Sequence, residues 1–190
     1  IMGLILMIIT VLLTSMAIVR EKEMGTIEQL IVTPIKKAPV LAGKLIPFMV
    51  IGFIDVVLVT AVAVFLFGIP FKGSYLLLFT GALLFLFNTL GLGLFISTVS
   101  ATQQQAMMSV MFFVMMPFIY LSGFVFPVEN MPVIFQYISQ VIPLTHFLII
   151  VRGLFLKGSQ FIDIWPSLAA MLTTGIVIFA VSMKRFRKYI

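Results

Sequence analysis

Five apolar stretches follow one another along the chain, separated by short polar breaks. A helix needs roughly 20 apolar residues to cross the hydrocarbon core of a bilayer. These stretches are apolar on every side, which suits helices rather than the alternating strands of a barrel. The pattern predicts an all-α polytopic membrane protein with a single transmembrane domain over residues 1–190. The predicted spans are residues 1–19, 45–69, 75–99, 104–126 and 164–183.

Residues 127–163 do not fit this scheme. Their apolar stretch, residues 144–156, is too short to cross a bilayer and contains Arg152. We therefore predict re-entrant helices on the outer side, which a membrane tolerates only where they pack on protein or line a cavity. Snorkelling of Arg152 to lipid phosphates is the favoured alternative to a gating role. The candidate gate residues are Gly123, Pro127, Pro132, Pro143 and Arg152.

Composition supports the membrane interpretation and removes several other classes. The chain is 62% hydrophobic and 9% charged, outside the range of ordinary soluble domains. It has no Cys and a single His, so we expect no metal site. The net charge of +6 does not indicate nucleic acid, because basic residues beside apolar spans follow from the positive-inside rule.

The basic residues also predict an orientation. Nine of the 12 Lys and Arg residues fall in the first loop, residues 20–44, or in the tail, residues 184–188. The positive-inside rule places both segments in the cytoplasm and the first residue outside, in a multi-pass protein of the cell membrane. We therefore expect at least one further span upstream.

The densest polar cluster lies in the first loop, which we interpret as a cytoplasmic coupling loop. Thr26 and Gln29 have the spacing of a capping box, Gly25 permits a turn before them, and Pro34 ends the helix. The acidic start of this amphipathic helix would be repelled by anionic lipids, and its apolar stripe suits a protein groove. The alternatives are a helix resting on the headgroups and a solvated loop.

Polar residues within the spans are the candidates for a substrate path. Asp55 is the only acid in a predicted span, and an intramembrane carboxylate indicates a functional site by default. The alternative is that it lies near the headgroups and pairs with Lys44 or the tail. For Asn88 and Thr89, also on the candidate path, close helix packing is favoured over substrate contact.

Four strings of the chain resemble, in this order, the membrane permease subunit of type-2 ABC exporters of the bacterial drug and lipid export kind: REKEMGTIEQLIVTP, LGLGLFISTVSATQQQAM, MMPFIYLSGFVFPVENMP and IPLTHFLIIVRGLFLKG. The resemblance implies six spans per subunit, of which this chain carries the last five. It also implies a coupling helix that docks in a cleft of a separate ATPase. The residues to which it gives this role are Glu21, Glu23, Gly25, Thr26, Glu28, Leu30 and Pro34.

The chain lacks the phosphate-binding loop GxxxxGK[ST]. We therefore expect no enzymatic activity and no bound cofactor here, with ATP and Mg²⁺ held by the partner ATPase. The resemblance implies an ATP-driven exporter whose permease forms a homodimer or heterodimer among membrane lipids. An ATPase-independent channel or scaffold is the alternative. A membrane enzyme acting on lipid-linked substrates has the least support, because acids and nucleophiles are not clustered at one depth.

Overall fold

The protein is described here by a computed structural model, which covers residues 1–25 and 37–188. Its backbone is helical almost throughout, as expected where no water is present to satisfy exposed amides and carbonyls. A 3₁₀ turn, Val128–Asn130, lies in the loop after α4. The helices are α1 (Met2–Glu23), α2 (Lys37–Ala61, continued by a π-helical turn Val62–Leu66), α3 (Tyr75–Val99), α4 (Gln103–Leu121), α5 (Val133–Val141), α6 (Pro143–Lys157) and α7 (Phe161–Lys188).

Five helices within the described residues are long and apolar enough to cross a membrane. They are α1, α2, α3, α4 and α7, which confirms the predicted number and order of spans. Two predicted boundaries were wrong. The helix of the first span continues through its charged end to Glu23. The fourth span ends at Leu121 and not at residue 126, because the chain leaves the helix at Ser122 and turns at Gly123 with φ +80°.

Helix α3 forms the centre of the bundle. It packs against α1, α2, α6 and α7, and its side chains are the most buried of any candidate span. The Phe85 ring stacks on the Phe147 ring of α6 with centroids 4.4 Å apart. A Cβ on Gly93 would lie 2.7 Å from the Cβ of Thr14. This contact requires glycine, and small residues that let helices approach closely are typical of membrane interfaces.

Buried hydrogen bonds fasten α3 to its neighbours. Thr10 Oγ1 of α1 donates to Thr89 Oγ1 at 2.8 Å, and Ser182 Oγ of α7 donates to the Gly91 carbonyl at 2.9 Å. Asn88 Nδ2 donates to the Met171 carbonyl of α7 at 2.8 Å. Polar side chains hold membrane helices together in this way because the bilayer core offers no competing water.

Helices α5 and α6 meet at an angle of 84°, the geometry of a broken span or of a re-entrant loop. Helix α6 packs against α3 and α7 and buries Leu144, Phe147 and Ile150. It therefore lies against protein, which is the condition for re-entrant structure in a membrane. We call the segment from Ser122 to Lys157 the cap. Its re-entrant character in a bilayer stays a prediction.

Candidate functional site

The last turn of α1 makes a polar contact with each of three other helices. Glu21 forms an ion pair with Lys44 of α2. Lys22 Nζ donates to the Ser100 carbonyl, just beyond α3, at 3.1 Å. Glu23 accepts hydrogen bonds from Gln103, the first residue of α4. We call this group the junction, and its members are Glu21, Lys22, Glu23, Lys44, Ser100 and Gln103.

The bond between Glu23 and Gln103 is double. The Gln103 backbone amide donates to Glu23 Oε1 at 3.0 Å, and Gln103 Nε2 donates to Glu23 Oε2 at 2.5 Å. The first amides of a helix have no partner within the helix, and the helix dipole favours an anion beside them. A carboxylate from α1 therefore completes the amino end of α4.

The same amino end is capped from within. Gln105 N donates to Thr102 Oγ1 at 3.2 Å, and Gln105 Oε1 accepts from Ala101 N at 2.8 Å. This reciprocal pattern is a variant of the capping box.

Lys22 stabilises the carboxyl end of α3 with a positive charge, as Glu23 stabilises the amino end of α4 with a negative one. The final carbonyls of a helix lack partners within the helix and carry partial negative charge, so a cation stabilises them. Lys22 supplies that cation at the Ser100 carbonyl. Neighbouring side chains of α1 thus complement the carboxyl end of α3 and the amino end of α4.

Gly25 ends α1 with φ +70°. Its amide donates to the Lys22 carbonyl at 3.2 Å, and a left-handed glycine directly after a helix is a common terminator. The turn predicted here is confirmed. The remaining coupling residues Thr26, Glu28, Leu30 and Pro34 lie outside the described residues, so the coupling helix stays a prediction.

The ion pair between Glu21 and Lys44 fixes where the coupling loop joins the bundle. Lys44 lies near the start of α2 and Glu21 near the end of α1, so their contact holds the two stems of the loop together. Lys22 and Glu23 of the same turn bond to the end of α3 and the start of α4.

Asp55 does not form the pair with Lys44 that was offered as part of its alternative. It is half-buried on α2, and its buried Oδ2 atom has no hydrogen-bond partner in the part of the chain that the structure describes. Lys44 pairs with Glu21 and not with Asp55. Lys44 and Asp55 both lie on α2, about 16 Å apart along its axis, and this separation prevents a contact.

Asn88 and Thr89 are both fully buried and use their side chains in bonds between helices. These bonds support the packing interpretation that the sequence favoured for them. Their part in a substrate path stays a prediction, as does that of Asp55.

Among the predicted gate residues, the structure brings Gly123 and Arg152 together. Arg152 Nη2 donates to the Gly123 carbonyl at 3.1 Å. Close by in the chain, Ser139 Oγ of α5 donates to the Leu121 carbonyl at 2.5 Å. The cap helices are thus bonded to the backbone at the carboxyl end of α4.

The prolines of the predicted gate mark the limits of elements. Pro127 and Pro132 flank the 3₁₀ turn, and Pro143 is the first residue of α6, where a missing amide hydrogen is tolerated. His146 is a satisfied side chain, since its Nε2 lies 2.8 Å from the Gln140 carbonyl.

The sequence analysis missed Lys44, Ser100, Gln103 and Ser139 as functional candidates. The available signal was the run of three glutamines at the start of α4, because a polar run beside charged loop ends indicates a polar surface. No group of three or more His, Asp or Glu residues within 1–25 and 37–188 is arranged to hold a metal ion.

Comparison with known proteins identifies related chains. The family described as "ABC-2 type transporter" matches residues 1–156. The chain is 37% identical over 191 residues to the "Probable multidrug ABC transporter permease YbhR" of Escherichia coli (strain K12), covering 96% of this chain and 51% of the relative. It is 39% identical over 155 residues to the "Probable multidrug ABC transporter permease YbhS" of the same organism, covering 82% and 41%.

The "Inner membrane transport permease YhhJ" of Escherichia coli (strain K12) is 33% identical over 187 residues, covering 96% of this chain and 49% of the relative. The chain spans about half the length of the curated relatives YbhR and YhhJ, and less of YbhS. No solved structure matches it.

Proposed function

This chain belongs to the ABC-2 type transporter family, and from that premise we propose that it is the part of an export permease that forms the substrate path and receives work from a separate ATPase subunit. The ATPase docks on the loop between α1 and α2, through the residues that the resemblance identifies. Closure of the ATPases on ATP moves this loop, and the bundle alternates access to the path between two permease subunits.

The observation that carries this proposal is the junction. A docking loop can drive a bundle only if its stems are joined to several helices. The last turn of α1 contacts α2, α3 and α4 through the side chains of Glu21, Lys22 and Glu23. A solvated loop or a helix resting on headgroups would not need this set of contacts.

The distribution of charge supports a cytoplasmic position for the junction. The Arg185 guanidinium of the tail lies 5.6 Å from the centroid of the Phe95 ring, near the carboxyl end of α3. The tail and the junction are therefore at the same end of the bundle. That end collects most of the basic residues, and the positive-inside rule assigns it to the cytoplasm, where an ATPase can reach it.

The names of two relatives, each called a "Probable multidrug ABC transporter permease", support a proposal for the substrate class. We propose that this chain handles amphiphilic compounds of varied shape. Its 13 Met and 20 Phe residues suit such substrates, because methionine repacks easily around different ligands.

The proposal is tested by purifying the full-length permease and scoring the ATPase that accompanies it. Three forms are compared: wild type, Glu28→Arg in the proposed docking helix, and Glu129→Arg as a matched charge reversal in the cap. We expect an ATPase with wild type and Glu129→Arg, and loss of it with Glu28→Arg. Equal recovery with both variants would place docking elsewhere. No ATPase with wild type would overturn the proposal in favour of the channel or scaffold.

A further inference from the structure

We propose that Gln103 is a positioning residue that ties α4 to the ATPase-facing loop through Glu23, so that movement of the loop shifts α4 and changes the cap at its far end. The inference rests on the proposed function and extends it to a route through the bundle. It assigns a role to a side chain outside the loop itself.

The first step concerns the strength of the contact between Glu23 and Gln103. Glu23 and Gln103 are 80 positions apart in the chain, yet they share two hydrogen bonds. A carboxylate acceptor makes each bond stronger than one between neutral groups. One donor is the backbone of α4, so a displacement of Glu23 acts on the helix itself as well as on the Gln103 side chain.

The second step is the weak restraint on the rest of α4. Only 17% of its most apolar window is buried inside the bundle, against 67% for α3. Its middle exposes Met111, Phe112 and Phe113, while Val110 and Val114 lie in the core. Its contacts with α1 are concentrated near its start. A helix packed along one narrow face can move with less loss of packing than α3, because fewer buried apolar contacts oppose the motion.

The third step is the attachment of the far end. The 19 residues of α4 span about 28 Å. At its carboxyl end, the Leu121 carbonyl accepts a hydrogen bond from Ser139 of the cap. The Gly123 carbonyl, two residues beyond the helix and already within the cap, accepts one from Arg152. A shift of α4 therefore acts directly on the bond to Leu121 and, through the chain, on the bond to Gly123. The junction and the cap are thus connected by one helix that is bonded at both ends.

The competing interpretation is a static cap, in which Glu23 only stabilises the amino end of α4. Both interpretations predict that loss of the Gln103 side chain lowers stability. Only the proposed route predicts that this loss weakens the effect of nucleotide on the cap while the nucleotide-free state stays the same. The experiment therefore measures the cap in two states of the transporter.

The experiment uses a single reporter cysteine in the cap of the full-length permease, purified with its ATPase. The 190 residues contain no Cys, so Phe126→Cys is unique among them, and any other cysteine of the full-length protein is replaced. Phe126 is 58% exposed and follows Gly123. The rate of maleimide labelling is measured without nucleotide and after trapping with ATP and vanadate.

Gln103→Ala is compared with Gln104→Ala as the matched control. Gln104 is the adjacent residue of the same type, and its exposed side chain has no hydrogen-bond partner among the described residues. Glu23→Ala and the double variant Glu23→Ala/Gln103→Ala complete a double-mutant cycle. If the two residues act through these bonds, the double variant should behave like Glu23→Ala, which already removes both of them.

We expect trapping to change the labelling rate of wild type and of Gln104→Ala by about fivefold, the scale set by one hydrogen bond. In Gln103→Ala, the nucleotide-free rate and the bound ATPase are retained and the change is reduced, because only the backbone amide of residue 103 still donates to Glu23. In Glu23→Ala, which removes both bonds, the change is lost. A wild-type response in Gln103→Ala would overturn the inference. So would an unchanged labelling rate in wild type with ATPase bound. If no ATPase accompanies wild type, the proposed function fails, and the inference falls with it.

Discussion

Asn88 and Met171 are joined across the centre of the bundle, where the Asn88 side-chain amide donates to the Met171 carbonyl at 2.8 Å. The Asn88 carbonyl oxygen accepts from Thr174 Oγ1 at 3.1 Å. One buried side chain of α3 therefore bonds to two positions of α7, with no exposure to the surroundings. The Asn88 amide therefore links the central helix α3 to the last helix α7 by hydrogen bonds.

Replacing Asn88 by Leu, which has nearly the same volume, should remove both bonds and lower the free energy of unfolding by about 1–2 kcal/mol. Thermal unfolding of the detergent-solubilised permease measures the change. Thr80→Val is the control, since the exposed Thr80 hydroxyl bonds only to the Leu76 carbonyl of its own helix. Equal unfolding midpoints for the two variants would show that the Asn88 hydrogen bonds do not stabilise the contact between α3 and α7.

Gly93→Ala should destabilise the bundle by about 1–3 kcal/mol, the usual loss on overpacking a tight contact. The added methyl group would lie 2.7 Å from the Cβ of Thr14, so α1 and α3 would have to separate. Gly43→Ala is the matched control, because no atom of the described residues lies within 4 Å of its new Cβ. Unfolding midpoints in detergent distinguish them, and a similar loss in both would show that the contact is not tight.

Arg152→Met should loosen the loop between α4 and α5, because the charged donor to the Gly123 carbonyl is removed. We expect cleavage after Glu129 by a glutamate-specific protease, added to the outside of sealed cells, to become about tenfold faster. Lys157→Met is the control, a basic residue on the same helix. Identical cleavage rates in both variants would argue that Arg152 only anchors the cap at lipid phosphates.

Asp55→Asn should raise stability and reduce export together. A carboxylate without a partner in a span is unfavourable by about 2.5–3.5 kcal/mol, and the neutral amide avoids part of this. Thermal unfolding and transport of a cationic dye are measured on the same preparation. Asp163→Asn, at the start of α7, is the control outside the predicted path. Unchanged transport with raised stability would remove Asp55 from the substrate path.

The number and order of spans could be predicted because hydropathy over 20 residues is a local property. The end of α4 could not, because residues 122–126 are as apolar as the helix before them. The chain leaves the helix there at Gly123, whose carbonyl is held by Arg152 from a distant helix. That bond depends on tertiary packing, which hydropathy does not record.

Only part of the candidate site could be predicted from the sequence, and the reason is similar. Glu23 was selected by its charge and position, but its partner Gln103 lies 80 positions away. Which residues meet between helices depends on crossing angles and rotations that one sequence does not specify. The suggested pair of Asp55 with Lys44 failed on simple geometry, because the rise of one helix separates them.

The central position of α3 has a consequence for biosynthesis. The third visible span leaves the ribosome well before α7, yet α7 supplies the carbonyl and hydroxyl partners of Asn88. Until synthesis of the last span is complete, the Asn88 side chain keeps its bond to the Leu84 carbonyl of its own helix but lacks its partners on α7. The central helix therefore reaches its full set of polar contacts only after the final span has packed against it.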